Sequence, residues 1–364
     1  MDRITQTPAE AFVGRTIANR YRLIEKVGEG AMGAVYKATD ANGAPCAVKM
    51  MHAQAVADPA LRTRFEREAK ALFALRHPNV LEVRDYGVES GLPFLVMELL
   101  SGKTLEEMVV DHTPDPQTGV ELGKQTLRGL AYAHAQGVLH RDIKSENVFV
   151  TWDGQSYRCI LLDFGLVKLD DSIHGPSQKL TMAGSIMGSP AYMSPEQGTG
   201  DVVDARSDVY AMGVVLYELV TGEWPFAAES QVEMFRMHLL EPPPPMASKR
   251  EHLVVLPELE AIIQKALAKK KADRWADAGA MLAAIEALPA KSAWIDASGR
   301  SRPSAVTMPT PPVAPPTPLA APTPMAQPVS APSSGPSVAL IAGLIGVFLL
   351  AMLIGAGVLF FLLR

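Results

Sequence analysis

Cysteine is nearly absent: the 364 residues contain two, Cys46 and Cys159, each inside an apolar run and with no CxxC pair. That excludes a disulfide framework or a cysteine-based metal knuckle and fits two small buried thiols in a reducing compartment. A strong excess of one charge is missing too. Against 34 Lys and Arg stand 39 Asp and Glu, for a net charge of −5, with no basic run long enough to form a patch. The electrostatic footprint of a nucleic-acid binder is therefore not there, and no nucleic-acid partner is expected. The opening stretch, MDRITQTPAEAFVG, lacks the apolar core of a secretory leader. Residues 303–337 lack charge altogether, and 12 of those 35 positions are proline. Such a stretch cannot build a core and favours extended polyproline II, so it reads as a semi-rigid tether.

What the chain does have is apolar bulk. At 48% hydrophobic residues it can bury a sizeable core. Val338 to Leu363 is 26 residues without a charge; as a helix it would run about 39 Å, enough to cross a bilayer core with some tilt. The expected organisation is an N-terminal extension over 1–20, a folded domain over 21–288, a proline-rich linker over 289–337 and a transmembrane helix over 338–363. Inside the domain, residues 21–100 read mostly as strands: YRLIEKV, AVYKAT, a DANG turn, CAVKMM and PFLVMELL. One helix interrupts them, with Asp58 as N-cap, Pro59 at its first position and Phe65, Leu72 and Leu75 at helical spacing. Residues 101–288 read mostly as helices broken by Gly and Pro. The fold class expected is α+β, a small β-rich lobe followed by a larger α-helical one.

Chemistry-bearing residues sit at five places. Residues 28–36, GEGAMGAVY, form a GxGxxG pattern that leads into strand-like residues and a turn. A dinucleotide fingerprint would open a helix there, so this reads as a β-hairpin whose tip can close over phosphates, or as an ordinary glycine-rich hairpin. Lys49 lies inside the apolar CAVKMM; it either snorkels to solvent or meets a buried anion. Glu68, three residues after Phe65 and four before Leu72, shares the helix's apolar face and needs a cation, for which Lys49 is the candidate. In VLHRDIKSENVFV, residues 138–150, Asp142 can take a hydroxyl proton, Lys144 can neutralise a transferring phosphoryl group and Asn147 can offer an amide oxygen to a divalent cation. Asp163 of LLDFG is either a turn former or, with Asn147, half of an oxygen pair suited to Mg²⁺.

In this order, GEGAMGAV, AVK, the helix glutamate, HRDIKSEN, DFG and SPE, the chain resembles a bacterial serine/threonine protein kinase of the eukaryotic type over residues 21–288. The resemblance implies a bilobal protein-kinase fold using ATP with Mg²⁺, or Mn²⁺ in its place. It implies that Val27, Gly28, Glu29, Gly30, Ala31, Met32, Gly33, Ala34 and Val35 cover the nucleotide, with Lys49 on its phosphates and the Lys49–Glu68 ion pair behind. Glu98 and Leu100 of MELL would contact the adenine, beside Met97 as gatekeeper. Asp142 would be the catalytic base, Lys144 the serine/threonine-type signature, and Asn147 and Asp163 the metal ligands. Arg141 marks a kinase whose activation segment is ordered by phosphorylation. In that segment Thr181 is the expected autophosphorylation site, Ser185 its competitor, and Ser189 shapes the substrate pocket. Glu196 would pair with a buried Arg274, and Asp208 would brace the catalytic loop. Two positions depart from the family pattern: Ser145 stands where proline is frequent, and Ser194 replaces the alanine of APE.

The activity expected is ATP-dependent phosphorylation of serine or threonine on protein substrates, with autophosphorylation in trans through a homodimer. The rival is a membrane-anchored pseudokinase scaffold, but none of Lys49, Asp142 or Asp163 is missing. Since only Arg364 follows the apolar stretch, the expected placement is a single C-terminal span in the cell membrane with the kinase domain cytoplasmic.

Overall fold

In Tyr21–Gly30 the side chains of Tyr21 and Leu23 are buried while Arg22 and Ile24 face out, the two-residue period of a strand with one face on a core. The computed structural model describes residues 12–30, 33–52, 65, 69–164, 190–250 and 253–288, all within the first of two compact units, Met1–Ser304. Strands β1 (Thr16–Ile17), β2 (Tyr21–Gly30), β3 (Gly33–Thr39), β4 (Pro45–Met51), β5 (Val83–Glu89) and β6 (Leu92–Met97) form one sheet in the order β1-β2-β3-β4-β6-β5. Every neighbouring pair is antiparallel. The expected extension over 1–20 thus contains an edge strand: Thr16 and Ile17 pair with Arg22 and Tyr21, and Ile17 is buried. Two residues are too few to show a period in sequence.

Residues 69–74 are helical, and Phe65, Ala69, Leu72 and Leu75 are buried. A second sheet, β7 (Lys103–Thr104), β8 (Val148–Trp152) and β9 (Tyr157–Leu161), lies within the segment read as mostly helical. Around it stand α1 (Leu105–Asp111), α2 (Pro116–Ala135), α3 (Pro195–Thr199), α4 (Ala205–Thr221), α5 (Gln231–Leu240), α6 (Pro257–Ala266) and α7 (Ala278–Glu286). Helix α4 is the axis of this lobe. Every residue from Ser207 to Thr221 is buried, as expected of a helix apolar on all sides. Asp204 caps its start by accepting from the Arg206 amide, and Gly222, at φ 84°, ends it in the left-handed conformation. Helix α2 approaches closely: a Cβ at Gly123 would lie 2.2 Å from Leu216 Cδ2, and one at Gly119 would lie 2.9 Å from Leu219 O.

Expectations for 289–337 and 338–363 fall outside the described residues. Among the described residues no helix is long and apolar enough to cross a membrane.

The expected Glu196–Arg274 pair is present. Arg274 Nη1 and Nη2 donate to Glu196 Oε1 and Oε2 at 2.7 and 2.9 Å, with Ser207 Oγ donating to Oε1 at 2.6 Å. The remaining guanidinium protons reach Ala268 O, Lys269 O and Arg206 O, so the buried cation is fully bonded. Burial alone would raise the Glu196 carboxyl, but the hydrogen bonds from Arg274 and Ser207 outweigh it and hold the group below its ordinary value. Its contribution is therefore present above the unfolded-state pKa and fades as pH falls through the lower folded value. Arg274→Met strands a buried carboxylate and is expected to cost about 3–5 kcal/mol in urea unfolding, with a second change, Glu196→Gln, recovering part of the loss.

Candidate active site

Helix α2 ends at Ala135, and Gly137, at φ 74°, turns the chain into the loop that leads to β8. That loop is hung from α4. Asp208 accepts the His140 amide at 2.8 Å on Oδ2 and the Arg141 amide at 2.7 Å on Oδ1, and bonds His134 Nε2 at 2.9 Å. A carboxylate that takes two successive backbone N–H groups fixes a tight bend; here Arg141 sits at φ 63°, a costly conformation for a long side chain. Beneath the loop, His140 is fully buried, bonds Leu162 O through Nε2 at 2.8 Å and lies 4.5 Å from the Phe164 ring. Burial pushes its imidazole below the ordinary value, against the pull of Asp208 and Asp142. The Arg141 carbonyl accepts from Gln197 Nε2 of α3 at 3.0 Å.

Immediately after this bend, Asp142 is held by Asn147. The Asn147 amide donates to Asp142 O at 2.8 Å and to Asp142 Oδ2 at 3.1 Å. With the nitrogen of the amide bonded to Asp142, its Oδ1 is the atom that can serve as a hard oxygen donor. The Asn147 carbonyl accepts the Leu162 amide at 2.8 Å, which links the loop to the strand exit carrying Asp163. Lys144 Nζ lies 2.8 Å from Glu146 Oε2, so its charge is paired in this state.

Asp163 sits at φ 39°, a second non-glycine residue in the left-handed region, and its side chain is half exposed. Its Oδ1 accepts from Lys49 Nζ at 2.6 Å. Lys49 stands mid-sheet in β4, opposite Val35 of β3 and Leu95 of β6, so its position is set by strand register on both sides. The expected partner Glu68 lies outside the described residues; the described partner of Lys49 is Asp163. The pair walls an apolar cavity lined by Leu72, Val83, Leu95, Met97 and Phe164. At its rim, Glu98 exchanges hydrogen bonds with Glu82, backbone to backbone and Oε1 to the Glu82 amide at 3.2 Å, with Arg158 3.5 Å away. Leu100 follows two residues later, past the end of β6.

The glycine hairpin is the β2–β3 connection. Val27, Gly28, Glu29 and Gly30 end β2, and Gly33, Ala34 and Val35 begin β3; Ala31 and Met32 lie outside the described residues. A Cβ on Gly33 would collide with Met50 O at 2.2 Å, whereas Gly28 and Gly30 have open space where a Cβ would stand. Packing accounts for the first glycine and not for the other two, whose bare backbone leaves room for a ligand. Thr181, Ser185 and Ser189 lie outside the described residues.

Asp163 and Asn147 offer oxygen only, the donor set of a hard divalent cation that keeps water and phosphate ligands. Among the described residues there is no cluster of three His, Cys, Asp or Glu side chains, so no enclosed protein cage competes with that arrangement. Residues without a recognisable sequence signal also take part: His134 and Gln197 reach the loop only through tertiary contacts, while Leu162 and Phe164 of LLDFG pack and bond against His140. Arg141 Nε is buried and has no hydrogen-bond partner among the described residues.

Comparison with known proteins places these features in company. A family model described as "Protein kinase domain" matches residues 21–285. Serine/threonine-protein kinase pkn3 of Myxococcus xanthus is 39% identical over 314 residues, covering 84% of this chain and 57% of the relative. Serine/threonine-protein kinase PknB of Mycolicibacterium smegmatis is 36% identical over 273 residues, covering 73% of this chain and 42% of the relative. The chain thus spans roughly half the length of these curated relatives. Among solved structures, the Mycobacterium tuberculosis PknI kinase domain matches with a TM-score of 0.58 and 27% identity, covering 75% of this chain and 97% of that one.

Asp208→Ala leaves two backbone amides without their carboxylate and is expected to destabilise the fold by roughly 3 kcal/mol. Hydrogen exchange at residues 140 and 141 should accelerate more than exchange in β2–β4; equal acceleration in both would contradict the bracing role.

Proposed function

The chain belongs to the protein kinase family, and from that premise we propose that it is a catalytically competent serine/threonine kinase, transferring the γ-phosphoryl group of ATP to hydroxyl groups of protein substrates. The observation that carries this reading is the convergence of Lys49, Asp142, Asn147 and Asp163, contributed by three separate stretches of chain, through the Lys49–Asp163 and Asn147–Asp142 bonds and the Leu162 amide on Asn147 O. None of the three groups whose loss would suggest a pseudokinase scaffold has been replaced.

In this reading the β2–β3 hairpin from Val27 to Val35 lies over the triphosphate, with the bare backbones of Gly28 and Gly30 admitting close approach. Lys49 orients the α- and β-phosphates, and Glu68 joins it from the neighbouring helix. Asn147 and Asp163 hold Mg²⁺, with Mn²⁺ able to replace it; the cation, when bound, offsets charge on the phosphate oxygens. Asp142, its carboxylate aimed by the Asn147 amide, aligns the acceptor hydroxyl and takes its proton. Lys144 leaves Glu146 to meet the transferring group. Little covalent work is asked of the protein; positioning and electrostatics do it. The adenine rests against Glu98 and Leu100.

Regulation follows from Arg141. Its Nε, without a partner among the described residues, and its strained backbone suit an arginine that receives a phosphate from the activation segment, with Thr181 or Ser185 the modified residue. Residues 338–363 anchor the chain in the cell membrane with the kinase domain on the cytoplasmic side, and two copies held in one bilayer phosphorylate each other by raised effective concentration.

Lys49→Met and Asp142→Asn should each abolish phosphate incorporation from labelled ATP while leaving the circular dichroism spectrum unchanged. Chelation of divalent cations should do the same to the unaltered chain, with Mg²⁺ or Mn²⁺ restoring it. Undiminished labelling of the Asp142→Asn protein would reject the base assignment. Mass mapping of the active protein is expected to find phosphate on Thr181 or Ser185. A chain ending at residue 337 is expected in the soluble fraction of lysed cells and the full chain in the membrane pellet; co-fractionation of the two would reject the anchor.

A further inference from the structure

Ser145 stands where the family often has proline, and the replacement is not a passive one. The side chain is fully buried, and its hydroxyl donates to Glu218 Oε2 on α4. Proline at this position would offer neither a hydroxyl nor an N–H.

Glu218 is itself unusual. It is buried on a helix that is covered on all sides, and its bonded partners are all neutral: Ser145 Oγ, Tyr192 OH at 2.8 Å and Trp224 Nε1 at 3.0 Å. Burial pushes its carboxyl above the ordinary value, and the three donors oppose that rise. The donors also touch one another: Tyr192 OH lies 3.1 Å from Ser145 Oγ, and Trp224 Nε1 lies 2.9 Å from Tyr192 OH. One carboxylate therefore gathers three pieces of chain. Ser145 belongs to the loop between Asp142 and Asn147. Tyr192 ends the turn Pro190–Tyr192, the first described residues after Phe164 and the approach to α3. Trp224 follows α4 directly.

We propose that Ser145 is a positioning residue for phosphoryl transfer, its hydroxyl locking the Asp142–Asn147 loop to the Tyr192 turn through Glu218. The proposal rests on the kinase reading. Ser145 touches no reacting atom; it acts through the placement of its neighbours Lys144 and Asn147. The loop that carries the base and the segment that leads out of 165–189 then respond together, because a change in either reaches the same Oε2. In a chain with proline at this position Tyr192 and Trp224 would still hold Glu218, but the direct bond from the 142–147 loop to that carboxylate would be gone.

The test uses the full-length chain and the variants Ser145→Ala, Ser145→Thr and Tyr192→Phe, each measured for acceptor phosphorylation, KM for ATP, melting temperature and hydrogen exchange. Loss of one hydrogen bond to a buried carboxylate is expected to lower kcat for acceptor phosphorylation about tenfold in Ser145→Ala, with KM for ATP within about twofold of the parent. Exchange should accelerate in both 143–148 and 190–194. Ser145→Thr restores the hydroxyl and should recover most of kcat and slow both segments again. The Ser145→Ala, Tyr192→Phe double variant should lose less than the product of the single losses, since both act on one oxygen. The proposal is overturned if Ser145→Ala keeps the parent kcat, if 190–194 exchanges as in the parent, or if the loss follows melting temperature and threonine does not rescue it. Absence of phosphate incorporation by the unaltered chain would overturn the kinase reading, and this proposal with it; an active parent beside an unaffected Ser145→Ala overturns this proposal alone.

Discussion

The bond between the Asp208 carboxylate and the amides of His140 and Arg141 is what the rest of the site depends on. Backbone amides inside a protein must find an acceptor, and a bend that places Arg141 at φ 63° cannot supply one from its own loop. Helix α4 supplies it from beneath, and because every residue from Ser207 to Thr221 is buried, the acceptor cannot shift without moving the lobe's core. Asp142 is one residue from that anchor and Asn147 is six. The position of Asp142 and Asn147 is therefore set by the packing of a helix that is buried from Ser207 to Thr221.

Helix α4 carries two buried carboxylates, Asp208 and Glu218, and neither is answered by a lysine or arginine. Asp208 is held by two backbone amides and His134, Glu218 by Ser145, Tyr192 and Trp224. A buried charge needs compensation, and these donors give it with direction: each N–H or O–H points along one line, while an ammonium would tolerate many. Where the fold requires strength rather than aim, at Glu196, it uses the planar fork of Arg274 instead. The choice of partner separates carboxylates that position the loop from one that ties α3 to the end of the chain's described lobe.

The small sheet lobe was largely legible because strand patterns and turn residues are local: YRLIEKV, AVYKAT, CAVKMM and PFLVMELL are β2, β3, β4 and β6, while β5 (Val83–Glu89) was not among the runs read as strands. The motif residues Lys49, Asp142, Asn147 and Asp163 were legible as an ordered set, each weak by itself. What escaped reading is long-range. Thr16–Ile17 and Lys103–Thr104 are each too short to carry a period, and the order β7-β8-β9 follows only from the Thr104–Phe149 and Val148–Leu161 pairings. His134, Gln197, Tyr192, Glu218 and Trp224 carry no motif; their part in the site exists only because α2, α3 and α4 converge under one loop. The departure at Ser145 looked neutral in sequence, since it touches no reacting group. Only the burial of its hydroxyl against Glu218 shows that a side chain can matter by holding its neighbours.

Charge balance then bears on how the site accepts a nucleotide. Asp163 lines the cavity beside Lys49, and of the two nearby lysines Lys144 is already paired with Glu146. Lys49 is bonded to Asp163 at 2.6 Å, so its charge too is engaged. A triphosphate adds several negative charges to that space, and like charges at such distances repel by an amount that interior dielectric makes costly. Lys49 cannot serve both Asp163 and the phosphates at full strength. A divalent ion taken by Asp163 and Asn147 would release Lys49 toward the phosphates. The Lys49–Asp163 bond is thus the contact that nucleotide and cation would have to replace together, which couples the two binding events without any movement of the sheet.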